Sequence, residues 1–109
     1  MDFKEYQKKS RETAVYPEKG DNFIYPTLGL AGEAGEVAER VKKVIRDNDY
    51  NLSDKERDRI KKELGDVLWY MAQLCTELGL DFNEVAEFNI EKLQSRKERG
   101  VIHGDGDER

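Results

Sequence analysis

The chain has 109 residues, 24 acidic against 19 basic side chains, a formal net charge of -5 and 39% charged residues, with a mean hydropathy of -0.90. Such a length is one small domain, the acidic balance speaks against a nucleic-acid backbone as partner, because that binding rests on clustered Lys and Arg, and no apolar run approaches the ~18 residues of a membrane span. The opening MDFKEYQKKS lacks the apolar stretch of a secretory signal and Cys75 alone cannot close an internal disulfide, so a soluble cytoplasmic protein is expected.

Asp2 followed by Glu5 is the signature of a helix start and predicts a first helix over 3–15. Residues 16–25 hold Pro17, Gly20, Phe23 and Tyr25 and read as a partly packed loop. Pro26 suits a first helical position, which predicts a second helix over 26–46. The polar run DNDYNLS, 47–53, is short enough to make the helices on either side antiparallel neighbours. Ser53 with Glu56 and Gly79 bound a third helix over 54–78, while Asp81 with Glu84 and Gly100 bound a fourth over 82–99. No segment alternates like a strand, so the expected fold is all-α: one four-helix domain over 1–109, with 100–109 as a mobile tail. A domain this small buries only somewhat over ~60% of its unfolded surface, and a lean, highly charged core predicts a homo-oligomer.

Laying residues 30–45 over 60–75 reveals an internal repeat. Leu30 falls on Ile60, Glu33 on Glu63, Gly35 on Gly65, Glu36 on Asp66, Val37 on Val67, Val41 on Met71 and Val44 on Leu74. On each helix the first carboxylate lies about 60° and the second about 120° to one side of the apolar stripe. In an antiparallel hairpin centred in the polar connection, Glu33 stands level with Asp66 and Glu36 with Glu63. Four carboxylates are thus expected at one height beside the core. Gly35 and Gly65 cost helix propensity, roughly 1 kcal/mol each against Ala, which points to close approach of backbone or ligand. Converging carboxylates either hold protons or bind cations, and hard divalent ions such as Mg²⁺ suit oxygen ligands while leaving positions for phosphates.

The motifs Glu33-Ala34-Gly35-Glu36 and Glu63-Leu64-Gly65-Asp66, set in LGLAGEAGEVAE and KKELGDVLWYM, resemble the MazG-like nucleoside triphosphate pyrophosphohydrolases. This all-α superfamily includes dimeric dUTPases and phosphoribosyl-ATP pyrophosphohydrolases. Gly32 stands where many relatives carry a further glutamate. The resemblance implies a four-helix unit assembling into homodimers or homotetramers, with sites built from more than one subunit. It also implies Mg²⁺-dependent cleavage of (d)NTP to (d)NMP and pyrophosphate, with Mn²⁺ as a substitute ion. Glu33, Glu36, Glu63 and Asp66 are then the metal and catalytic residues. A dUTPase-like or phosphoribosyl-ATP activity on the same fold, or a non-catalytic helical adaptor, are the alternatives.

The pattern Asn89, Lys92, Arg96 also resembles one in these relatives, which makes the three candidates for gripping phosphate or sugar. Read alone, they are an amide set in an apolar stripe (Phe82, Val85, Ala86, Ile90, Leu93) and two snorkelling cations. Tyr70, one turn after Asp66, lies on the carboxylate stripe and is a candidate to bond a metal ligand or the nucleotide. Arg40 is expected to pair with Glu36 along its helix, and Lys43 reads as solvated. Trp69 and Phe88 point off their helices' core stripes, towards a subunit interface or a base-stacking wall. By the same resemblance Phe3, Gln7, Tyr16 and Tyr25 are candidates for a base pocket. Cys75 reads as core and His103 as surface.

Overall fold

A computed structural model describes residues 1–109. It contains α1 (Phe3–Ser10), a single 3₁₀ turn over Arg11–Thr13, α2 (Ile24–Asn48), α3 (Asp54–Glu77) and α4 (Phe82–Glu98), with no strand. The three expected caps form: Asp2 accepts from the Glu5 amide, Ser53 from Glu56, and Asp81 from Asn83 and Glu84. Gly79 and Gly100 take φ of 69° and 72°, the left-handed geometry that lets the Leu80 and Val101 amides reach back to the Cys75 and Arg96 carbonyls at 2.8 Å.

Two boundaries differ from the sequence expectation. The first helix leaves α geometry at Arg11 because two hydroxyls bond back to the preceding turn, Ser10 to the Gln7 carbonyl (2.8 Å) and Thr13 to the Ser10 carbonyl (3.0 Å). At the other boundary α2 begins at Ile24, so Pro26 is its third residue rather than its first. The Asn22 side chain accepts from the Tyr25 amide at 3.0 Å and supplies the start. Pro26 is tolerated there because the first-turn amides have no partner within the helix.

The hairpin of α2 and α3 is the spine of the molecule, turned through Asp49 and Tyr50 at φ of 48° and 65°. On one side α1 lies against α3 and the start of α4. A small core of Ala72, Cys75 and Phe82 is covered by Tyr6, Leu68 and Met71, with the Phe3 ring 4.8 Å from Phe82. The Gln7 amide ties the α3–α4 turn, donating to Thr76 Oγ1 (3.1 Å) and the Leu80 carbonyl (2.9 Å) and accepting from the Phe82 amide (2.9 Å). Of the base-pocket candidates, Gln7 makes its bonds to this turn, while Phe3 packs on Phe82 and stays partly exposed.

The chain is open for its size. It exposes 8062 Å², against roughly 6,200 Å² for a compact monomer of this mass, and its radius of gyration is 16.8 Å against ~13 Å. Ile24 and Leu28 on α2 and Leu64 on α3 are more than half exposed. The apolar stripe read as the core face of α4 is uncovered as well: Val85, Ile90 and Leu93 are exposed, and Asn89 beside them is exposed rather than embedded. Only Phe82, at the first residue of α4, is driven into the core. The segment expected to be a mobile tail folds back, with Asp107 on α4 and Arg109 donating to the carbonyls of Val101 and Ile102 at 2.9 Å. No helix is long and apolar enough to cross a membrane.

The close approach in the hairpin occurs at Gly29. A Cβ there would fall inside the Tyr70 ring, whereas Cβ atoms at Gly35 and Gly65 meet nothing within the chain. Gly29→Ala should therefore destabilise by about 1–3 kcal/mol through overpacking, despite the better helix propensity of Ala, as read from a thermal melt; an unchanged or higher Tm would contradict this packing.

Candidate metal centre

The antiparallel register brings α2 and α3 together so that Gly29 faces Tyr70 and, one turn along, Glu33 faces Asp66. Glu63 lies one turn back from Asp66 on the same side of α3. Glu33, Glu63 and Asp66 each offer a carboxylate oxygen, and the three oxygens lie within 4.8 Å of one another. Glu36 stands outside this group. It lies one turn along α2 from Glu33 and is exposed, although close enough for its charge to act on Glu33.

The electrostatics reflect the crowding. Partial burial raises the Glu33 carboxyl above its ordinary value, and the charges of Asp66, Glu63 and Glu36 push the same way. The only cation paired with the cluster is Arg40, with Nε 3.8 Å from Glu63 Oε1. Sequence reasoning gave Arg40 to Glu36 on its own helix. In the structure it reaches across the hairpin instead. Three oxygens at such spacing, short of positive charge, fit a hard divalent cation.

Beside the acids, Thr13, Glu33, Asp66, Trp69 and Tyr70 line an open cleft of about 350 Å³. Burial raises the Tyr70 hydroxyl, as do the neighbouring Tyr25 and Glu33. Its ring stands 5.0 Å from Trp69, edge to face, and 6.5 Å from Tyr25, which stacks on Tyr16 at 5.0 Å. The indole N–H of Trp69 donates to Thr13 Oγ1 (2.9 Å) and the Ser10 carbonyl (3.2 Å). Trp69 is thus docked within its own chain, on the 3₁₀ turn, and lines the cleft; Phe88 is left exposed.

Lys92 and Arg96 are not brought to the acids, and Asn89 is exposed on α4. Lys92 and Arg96 line a separate cleft on α4 that shares no residue with the first. There the Asp107 carboxylate holds both, at 2.9 Å from Lys92 Nζ and 3.1 Å from Arg96, and a further bond from Arg96 to the Asp107 carbonyl leaves the arginine 5% exposed. These two hydrogen-bonded cations hold the Asp107 carboxyl below the usual range.

One residue important to the site's surroundings escaped the sequence reading. Glu77 lies two turns beyond Tyr70 on the same stripe, a spacing that marks it in retrospect. Its Oε2 accepts from Arg11 (2.7 Å), Tyr16 (2.6 Å) and the Gly20 amide (3.0 Å), and its Oε1 from the Asn22 amide (2.7 Å). The loop that carries Tyr25 to Tyr70 is fastened through this one carboxylate.

Comparison with known proteins agrees with this geometry. Residues 26–101, which include α3, α4 and all but the first two residues of α2, match the family model of the MazG nucleotide pyrophosphohydrolase domain. The chain is also 49% identical to the Gene 37 protein of Mycobacterium phage L5 over 109 residues, 95% of this chain and 96% of that protein. No solved structure matches it. With the acid-bearing hairpin lying inside a match that spans most of the chain, this protein belongs to the MazG nucleotide pyrophosphohydrolase domain family.

Proposed function

We propose that the protein hydrolyses nucleoside triphosphates, ribo- or deoxyribonucleotides, between the α and β phosphates to give a nucleoside monophosphate and pyrophosphate. The observation that carries this reading is the convergence of Glu33, Glu63 and Asp66 within 4.8 Å between two helices. These three would hold Mg²⁺, or Mn²⁺ in its place, with Glu36 one turn along α2 as a fourth carboxylate. A bound cation there supplies neutralisation of phosphate charge and a more acidic water. A carboxylate of the cluster that the ion leaves free would accept a proton from water. Tyr70 and Trp69 wall the cleft with aromatic faces, suited to hold a nucleoside beside the acids.

Asn89, Lys92 and Arg96 would grip phosphate or sugar from a second copy of the chain, since in their own protomer the two cations line a separate cleft. The uncovered apolar side of the α2–α3 hairpin, with Ile24, Leu28 and Leu64, supplies a surface on which copies associate as a dimer or tetramer.

A panel of ribo- and deoxynucleoside triphosphates, including dUTP, and phosphoribosyl-ATP, incubated with the protein and Mg²⁺, tests the reading. Release of pyrophosphate rather than orthophosphate is expected, from a species heavier than one chain by light scattering. Absence of pyrophosphate from every substrate would overturn the activity, and a mass of one chain would overturn the shared site.

A further inference from the structure

A second cleft, of about 410 Å³, lies at the loop end of the same hairpin, lined by Arg40, Lys43, Lys55 and Arg59 with Asp47 and Glu56. Four cations against two acids is a local reversal in a chain of net charge -5. Arg46 holds Asp47 through two bonds at 2.7 and 2.8 Å, and Arg59 holds Glu56 Oε1 at 2.5 Å, while the buried Glu56 Oε2 has no partner. Lys43 and Lys55 have no carboxylate within 4 Å, and Lys43 is half-buried. The cleft therefore keeps uncompensated positive charge on a partly enclosed surface, the setting in which an anion gains most.

Its place in the groove gives that charge a direction. Arg40 lies four residues beyond Glu36 on α2, Arg59 lies four residues before Glu63 on α3, and four residues rise about 6 Å along the axis. Arg40 lines this cleft and also pairs with Glu63 of the acid cluster, so the two sites adjoin. At the other end of the acids stands the aromatic cleft of Trp69 and Tyr70. From end to end the groove runs aromatic, acidic, basic. A nucleoside triphosphate has the matching order of base, α-phosphate and terminal phosphates.

We propose that the β- and γ-phosphates of the substrate, and then the pyrophosphate product, are received in the hairpin-end cleft by Arg40, Lys43 and Arg59. This assignment rests on the pyrophosphohydrolase reading above and fixes which way the substrate lies. After cleavage the monophosphate stays against the acids and rings, while pyrophosphate leaves past the hairpin loop.

Isothermal titration with inorganic pyrophosphate, and separately with a nucleoside monophosphate, in the presence of Mg²⁺, tests it on the full chain. Lys43→Gln and the double variant Lys43→Ala/Arg59→Ala should weaken pyrophosphate binding about tenfold or more, leave monophosphate affinity within about twofold, and raise the pyrophosphate inhibition constant in parallel. Lys8→Ala/Lys9→Ala, which removes the same charge from α1, should change neither. Lys43→Gln alters a single side chain free of ion pairs, so its result stands even if the double variant folds poorly. If the wild type releases and binds pyrophosphate but Lys43→Gln and the double variant bind it equally well, the subsite is wrong and the activity stands. An equal loss in the Lys8/Lys9 control would reduce the effect to net charge and also overturn the subsite. If the wild type neither produces nor binds pyrophosphate, both readings fall together.

Discussion

Glu63→Gln is expected to lower kcat/KM for triphosphate hydrolysis by about 10³-fold and, in the absence of metal, to melt at a higher temperature than the wild type. The two effects have one cause. Glu33, Glu63 and Asp66 crowd their oxygens within 4.8 Å, and burial together with the charges of Asp66, Glu63 and Glu36 raises the Glu33 carboxyl. A group whose folded pKa lies above its unfolded value contributes stability below the unfolded pKa, about 4.3 for Glu, and that contribution is lost as pH rises through the folded pKa. At neutral pH without metal the ionised cluster therefore works against the fold. Removing one charge would relieve the repulsion, as a bound cation would in the wild type.

Saturating Mg²⁺ or Mn²⁺, at ~100 times its dissociation constant, should stabilise the wild type by about 2.7 kcal/mol, a rise in Tm on the order of 10 °C. The variant should lose most of that rise. Melts with Mg²⁺ and with EDTA, set beside steady-state kinetics, read all three quantities. A wild type whose melting ignores both cations would remove the metal centre, whatever the kinetics show.

How much of this was legible in the sequence depended on the range of the interaction. The caps at Asp2, Ser53 and Asp81 are satisfied within three residues, so local spacing located them. The hairpin register is long-range but constrained by a short connection, and the level pairing that placed Glu33 against Asp66 also brings Gly29 against Tyr70. Periodicity set Glu36 level with Glu63 and on the acidic side of α2, but spacing does not fix how far a flexible side chain reaches, and only three acids meet.

The stripe of Val85, Ile90 and Leu93 was correctly seen as apolar, yet an apolar stripe states only that something covers it. Within this chain nothing covers most of it. Helix spacing pairs Arg40 with Glu36 one turn away, and the hairpin offers Glu63 instead. Lys92 and Arg96 found a partner in the tail, where no pattern announces that Asp107 will fold back on them.

Glu77 illustrates the limit most sharply, because its four donors come from Arg11, Tyr16, Gly20 and Asn22, all more than fifty residues away in sequence. Burial alone would raise its carboxyl, but the bonds from Tyr16, the Asn22 amide, Arg11 and the Gly20 amide outweigh it and hold the pKa down to about 2. The side chain is 0% exposed. Glu77→Gln should therefore cost about 3 kcal/mol or more, because the amide presents an N–H where donors already converge and leaves Arg11 without its counter-charge.

The acid limb supplies an independent signature. With a folded pKa below the unfolded one, the carboxylate's contribution is complete above about pH 4.3 and is lost as pH falls towards 2. Wild-type stability should fall across that window, and the variant should lack this part of the slope. Equal acid transitions in the two proteins would show that the network does not carry the charge assigned to it. Release of the loop would also free Tyr25 from its stack on Tyr16 and its approach to Tyr70. Substrate KM should then rise by more than kcat falls, since the acids themselves lie on the hairpin and keep their register.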